Sequence, residues 1–169
     1  MKLQQVEPTN STIDMLDQLK YTHCNGDVIL VSFVESSSSA DNTNSSPSSL
    51  MMWLDHLVVR EKLSNLHIPS QICIPSDLRL VDQSTLEAEL TQRLVQGGAY
   101  QRFRGSEAAA RALSSRFVDD LFRNVEQVQI AISQEAWSNW FMGIAWDLTV
   151  LAHDPDSGRR WLLTITDTG

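Results

Sequence analysis

The 169-residue chain is poor in cysteine, lysine and glycine, and it has no long apolar run. Each scarcity narrows what it can be. Its two cysteines, Cys24 and Cys73, allow at most one bridge, and a core of this size needs no covalent staple. Cys73 sits between Ile72 and Ile74 and reads as a small buried hydrophobe. Cys24 follows His23, but neighbours on an extended chain point to opposite faces, so this thiol and imidazole do not share a site. The longest apolar stretch, residues 50–59, is interrupted by Asp55 and His56. It falls short of the roughly 18 to 20 residues that span a bilayer. Near the N-terminus, Lys2 is followed by Glu7 and Pro8 rather than by the apolar core of a secretory signal. The expectation is a soluble, cytoplasmic protein with no membrane partner. There is no CxxC, no phosphate-binding glycine loop, no G-x-S-x-G and no histidine pair at i, i+4, so no cofactor and no metal are expected.

What the chain does carry is acid. Thirteen basic side chains stand against 21 acidic ones, a formal net charge of -8. Neither half is cationic: residues 1–84 hold 5 basic and 10 acidic groups, residues 85–169 hold 8 and 11. The phosphate attraction that dominates nucleic-acid affinity is missing, so no nucleic acid is expected as a partner. An acidic surface serves solubility, and it also steers association with a basic partner. Lys2, Lys20 and Lys62 are the only lysines, and every later cation is an arginine, which suits carboxylate pairing.

Periodicity places the elements. Residues 10–20 read as a helix capped by Ser11 and Asp14, and Asn25-Gly26 as a turn. Residues 27–34, rich in Val, Ile and Phe, read as a strand. Residues 36–49 contain eight serines and read as a flexible loop within one domain that spans 1–169. Residues 50–66 read as a single helix, with Ser46 and Pro47 as its start signals. A capping box at Ser84 and Glu87 predicts a helix ended by Gly97-Gly98, and a second helix runs from Ser106 to about Asn124. Val128, Ile130 and Ile132 alternate as in a strand. Ile144, Trp146, Leu148 and Val150 share a face of the next strand, and residues 160–166 return after the turn at 154–158. The order predicts an α+β fold, a C-terminal antiparallel meander packed against several helices that cover one side.

Three constellations invite chemistry. If the loop 154–158 has five residues, His153 faces Arg159, and Asp147 and Asp167 become diagonal neighbours roughly 7 to 8 Å apart. Asp147, His153 and Asp167 would then suit a metal-assisted hydrolase. An even-numbered loop places the two carboxylates on opposite faces instead. Residues 97–106, with Gly97, Gly98 and Gly105 around Arg102 and Arg104, could cradle an anion at the next helix. Tryptophan is the third signal, because Trp137, Trp140, Trp146 and Trp161 fall within 25 residues beside Phe141. Either they pack the core or they anchor a partner.

The favoured reading is a non-catalytic protein-binding protein of the inhibitor, immunity-type or chaperone-like kind. Its partner is another protein with a basic surface, met by Trp137, Trp140, Phe141, Asp154 and Asp156. The alternatives are the hydrolase above and an accessory subunit of a larger assembly.

Overall fold

The computed structural model describes residues 2–4, 6–35 and 46–169. Six antiparallel strands form one sheet: β1 (Lys2–Gln4), β2 (Asp27–Val34), β3 (Arg79–Val81), β4 (Gln129–Ser133), β5 (Leu148–Asp154) and β6 (Arg159–Thr166). Their order across the sheet is β1-β2-β6-β5-β4-β3. Three strands are thus the C-terminal meander, and β2 enters beside β6. The fold is α+β in one domain.

Helices α1 (Asn10–Thr22), α4 (Gln83–Gln96) and α5 (Glu107–Leu121) cover the first face. Met15, Leu19, Leu90, Leu94 and Phe117 meet Val28, Ile132, Val150, Leu163 and Ile165 there. The second face is covered too, which differs from the one-sided cover read from the sequence. It carries α2 (Pro47–Met52), α3 (Leu57–Lys62), two short 3-10 turns and residues 137–141. Phe33, Ala131, Leu151 and Leu162 pack against Leu50, Leu54, Leu66, Trp137 and Phe141. The cause is legible in β5 and β6. Their apolar residues run on without alternating, the signature of strands buried on both faces.

Local chemistry sets the element ends. Thr9 caps α1, accepting the Thr12 amide at 3.1 Å. Asp82 rather than Ser84 caps α4, accepting the Thr85 amide at 2.8 Å, and these bonds hold its carboxyl below the usual range. Ser106 caps α5 as expected, and Gly97 ends α4 at φ 68°. The single helix expected over 50–66 is broken. His56 is extended, with ψ 133°, and its Nδ1 accepts the Val58 amide as the cap of α3. Of the serine-rich segment, residues 36–45 lie outside the described residues. Ser46 caps α2, and Pro47–Met52 is helical. No helix among the described residues is long and apolar enough to cross a membrane.

Candidate functional site

A cleft with a volume of about 620 Å³ lies at the hairpin end of the first face. Three segments wall it: the β1–α1 linker with Val6, Glu7 and Thr9; the end of α5 with Asp120 and Arg123; and the β5–β6 hairpin with Asp154 and Arg159. Trp161 is its floor, only 3% exposed. Phe122 meets that indole edge-on, with centroids 5.3 Å apart. The Arg159 guanidinium lies 5.8 Å above the Trp161 ring centre and donates to Gln4 Oε1 at 2.8 Å.

The charged groups of the cleft are held in place by their neighbours. Asp120 pairs with Arg123, and its Oδ2 accepts from the Thr9 hydroxyl at 3.1 Å. Hydrogen bonds from Arg123, Ser11 and Thr9 hold its carboxyl below the usual carboxylate range. Asp154 closes its own turn: Oδ1 accepts the Asp156 amide at 3.0 Å, and Oδ2 accepts the Ser157 hydroxyl at 2.5 Å. Glu7, on the cleft wall, is exposed, and Asp156 is exposed at the tip of the β5–β6 hairpin. Three carboxylates, Glu7, Asp120 and Asp154, therefore line the cleft against two guanidiniums, Arg123 and Arg159.

The hydrolase geometry does not form. The hairpin pairs Asp154 with Arg159 and His153 with Arg160, so its loop has an even number of residues. Asp147 comes beside Thr166 and not on the face of Asp167. Asp147 Oδ1 accepts the Thr166 hydroxyl at 2.6 Å, and its Oδ2 accepts the Gly143 and Ile144 amides at 2.7 and 3.2 Å. Asp167 accepts the Asn25 and Ala99 amides at 3.0 and 2.7 Å. Both carboxylates are fully buried. His153 stands six residues along β5 from Asp147, roughly 20 Å at the rise of a strand. Burial, then the neighbouring Arg160 charge, pushes the His153 imidazole down to about 4. Among the described residues, no three His, Cys, Asp or Glu side chains are placed to share a metal ion.

The aromatic patch also differs from expectation. Trp137 and Phe141 are each 5% exposed, and Trp140 is half-buried. Trp137 donates its indole N–H to Thr149 Oγ1 at 2.9 Å and stacks obliquely on Phe141 at 5.5 Å. They seal the second core, where a buried indole finds a hydroxyl partner on the sheet. The edge of Trp137 still borders a smaller groove of about 330 Å³, shared with His67, Pro69, Cys73, Ser138 and Asn139. Cys73 is exposed there and Cys24 is exposed elsewhere, so Cys73 is not the buried hydrophobe its neighbours suggest. Sequence reading missed Glu7, Asp120, Arg123 and Arg159. Their only early signal was composition, since no local motif announces a cleft built from three distant segments. No family model matches the chain, and no curated protein matches it significantly in sequence.

Proposed function

We propose that the chain is a non-catalytic protein-binding protein, of the inhibitor, immunity-type or chaperone-like kind, that takes a basic segment of its partner at the Trp161 cleft. The observation that carries this reading is the cleft itself. It joins an aromatic floor, a guanidinium laid over it, and an excess of carboxylates along its wall. Interfaces concentrate binding energy in tryptophan, tyrosine and arginine set in desolvated pockets. Asp120 and Asp154 are already fixed by internal hydrogen bonds, so little ordering entropy is spent when a partner docks. The net charge of -8 favours encounter with a basic surface.

The test is site-specific photo-cross-linking in the native host. A photoreactive residue at Asn124, in the cleft, should yield a defined adduct with one protein, whereas the same residue at Gln92 on α4 should not. Glu7→Lys should remove the Asn124 adduct without changing the melting temperature. Equal adducts from both positions, or an adduct indifferent to Glu7→Lys, would overturn the reading.

A further inference from the structure

Two stretches of this acidic chain hold no carboxylate, residues 18–26 and residues 90–106. The fold brings them together, one helix length from the Trp161 cleft. α1 starts at the cleft beside Thr9 and ends roughly 20 Å away at Thr22. There it meets the α4–α5 connection. The Gly98 amide donates to the Thr22 carbonyl oxygen at 3.0 Å, and the Tyr21 hydroxyl donates to Gln101 Oε1 at 3.1 Å. The Arg104 guanidinium lies 4.7 Å from the centre of the Tyr21 ring. The Ala99 amide is held by Asp167, and the Gly98 amide also reaches the Gln101 carbonyl oxygen at 3.1 Å. Tyr100 sits on this fixed loop and is 65% exposed. Every other aromatic residue is buried or half-buried. Lys20, Arg102 and Arg104 are exposed around it. Five arginines elsewhere pair with carboxylates, whereas Arg102 and Arg104 have no carboxylate partner among the described residues. Glu89 and Glu107, which bound the second stretch, are already paired with Arg93 and Arg111.

We propose that Tyr100, Arg102 and Arg104, with Lys20 beside them, form a docking surface for a short acidic segment of a partner protein. Carboxylates of the segment pair with the two guanidiniums, and an apolar side chain packs on the Tyr100 ring. A guanidinium takes a carboxylate at two points, through a planar fork that lysine lacks. Tyrosine and arginine are the side chains in which interfaces concentrate binding energy. Arg104 is ordered against Tyr21 before docking, and Tyr100 stands on a loop tied down at Gly98 and Ala99, so little ordering entropy is lost. A nucleic acid fits less well. It carries phosphates along its whole length, and the chain around this patch bears a net charge of -8. A short acidic segment confines its charge to the patch. This site does not rest on the reading of the Trp161 cleft.

The test titrates the whole chain with a blocked pentapeptide of glutamate, glutamate, phenylalanine, glutamate and glutamate, followed by NMR. The Arg102 and Arg104 Nε–H signals and the Tyr100 ring should shift together and saturably. Arg102→Gln joined to Arg104→Gln should weaken binding at least about tenfold. Tyr100→Ala should weaken it at least about fivefold. Arg102→Lys keeps the charge without the fork and should weaken it about two- to fivefold. Arg102 and Tyr100 are exposed, so their variants should melt as the parent does, which separates binding from folding. Glu7→Lys, at the other end of α1, should leave the peptide's affinity unchanged. The proposal fails if these signals stay still, or if lysine in place of every glutamate gives the same shifts. It also fails if inorganic phosphate at equal ionic strength reproduces them, which marks a simple anion site. Tighter binding of a thymidine strand of about ten nucleotides would assign the surface to nucleic acid instead.

Discussion

The Ala99 amide donates to the Asp167 carboxylate at 2.7 Å, across 68 residues of sequence. The other oxygen of Asp167 accepts the Asn25 amide. One side chain thus ties the exit of β6 to the α1–β2 turn and to the α4–α5 connection. The sequence suggests that residues 97–106 could cradle an anion at the start of the next helix; the amide of that stretch bonded to Asp167 is that of Ala99, just after α4. Gly98 makes the approach possible, because a Cβ there would lie 2.0 Å from Asp167 Oδ2 and 2.5 Å from the Thr22 carbonyl oxygen.

Asp167→Ala should therefore destabilise the fold by about 1–3 kcal/mol, since it leaves the part-buried Asn25 and Ala99 amides without their acceptor. Asp167→Asn should lie between, because its amide nitrogen faces a donor. Gly98→Ala should match the alanine variant despite touching a different residue. Urea unfolding measures all three, and a loss below about 0.5 kcal/mol in Asp167→Ala would show that the tie is not structural.

Trp137 tests where the aromatic cluster belongs. Trp137→Ala should cost about 3–5 kcal/mol as a large buried ring is lost. Trp137→Phe should cost less and report the unpaired Thr149 hydroxyl together with the smaller ring. Trp140→Ala, at a half-buried position, should cost the least of the three. Calorimetric melts would settle the order, and a silent Trp137→Ala would return this indole to the surface.

The fold class was legible because periodicity is local. Strands β2, β4 and β6, the capping of α5 and the glycine stop of α4 each depend on a few adjacent residues, whereas the short edge strand β1 carries no such signal. The hairpin register was not legible. Asp154 looked like the first of five loop residues, yet it belongs to β5 and pairs with Arg159. One residue of register moves Asp147 and Asp167 to opposite faces. His56 was read as a polar break on a continuing helix, but its ring accepts an amide and starts a new one. The cleft was least legible of all. Glu7, Asp120 and Arg159 meet only through tertiary packing, and no spacing along the chain encodes that.

Two histidines contribute to the acid limb of stability. Burial lowers the pKa of His23, offset in part by its bond to Leu19 and by the Asp167 charge. Burial, then Arg160, holds His153 at about 4. Each is neutral in the folded chain while an unfolded histidine takes a proton below about 6.5. The stability they contribute is fully present above that value and is lost as pH falls below it, for His153 down to about 4. For His153 the full shift would amount to about 3 kcal/mol, and screening at a half-exposed site reduces this to about 1–2 kcal/mol. His153→Gln should flatten this part of a stability–pH curve. A variant as steep as the parent would assign the loss to other groups.

Arg60 gives the sharpest contrast between a cation and its geometry. Its guanidinium donates to the carbonyl oxygens of Ile68, Pro69 and Ser70 at 3.1, 2.7 and 3.3 Å, and to Asp55 Oδ1 at 2.5 Å. The far end of the same loop is clamped by Glu135, which accepts the Ser76 amide at 2.8 Å, and by Asp77, which accepts the Gln134 amide at 2.7 Å. The loop that carries Cys73 is thus fixed at both ends. A lysine keeps the charge but lacks the planar fork that reaches three carbonyls at once. Arg60→Lys should therefore release the loop as Arg60→Ala does, with a global loss of about 1–2 kcal/mol. Asp55→Ala removes only an exposed ion-pair partner and should cost under about 1 kcal/mol. Hydrogen exchange read by mass spectrometry should show faster exchange confined to residues 67–75 in both arginine variants and little change in Asp55→Ala. If Arg60→Lys protects the loop as well as the parent does, charge rather than the fork holds it.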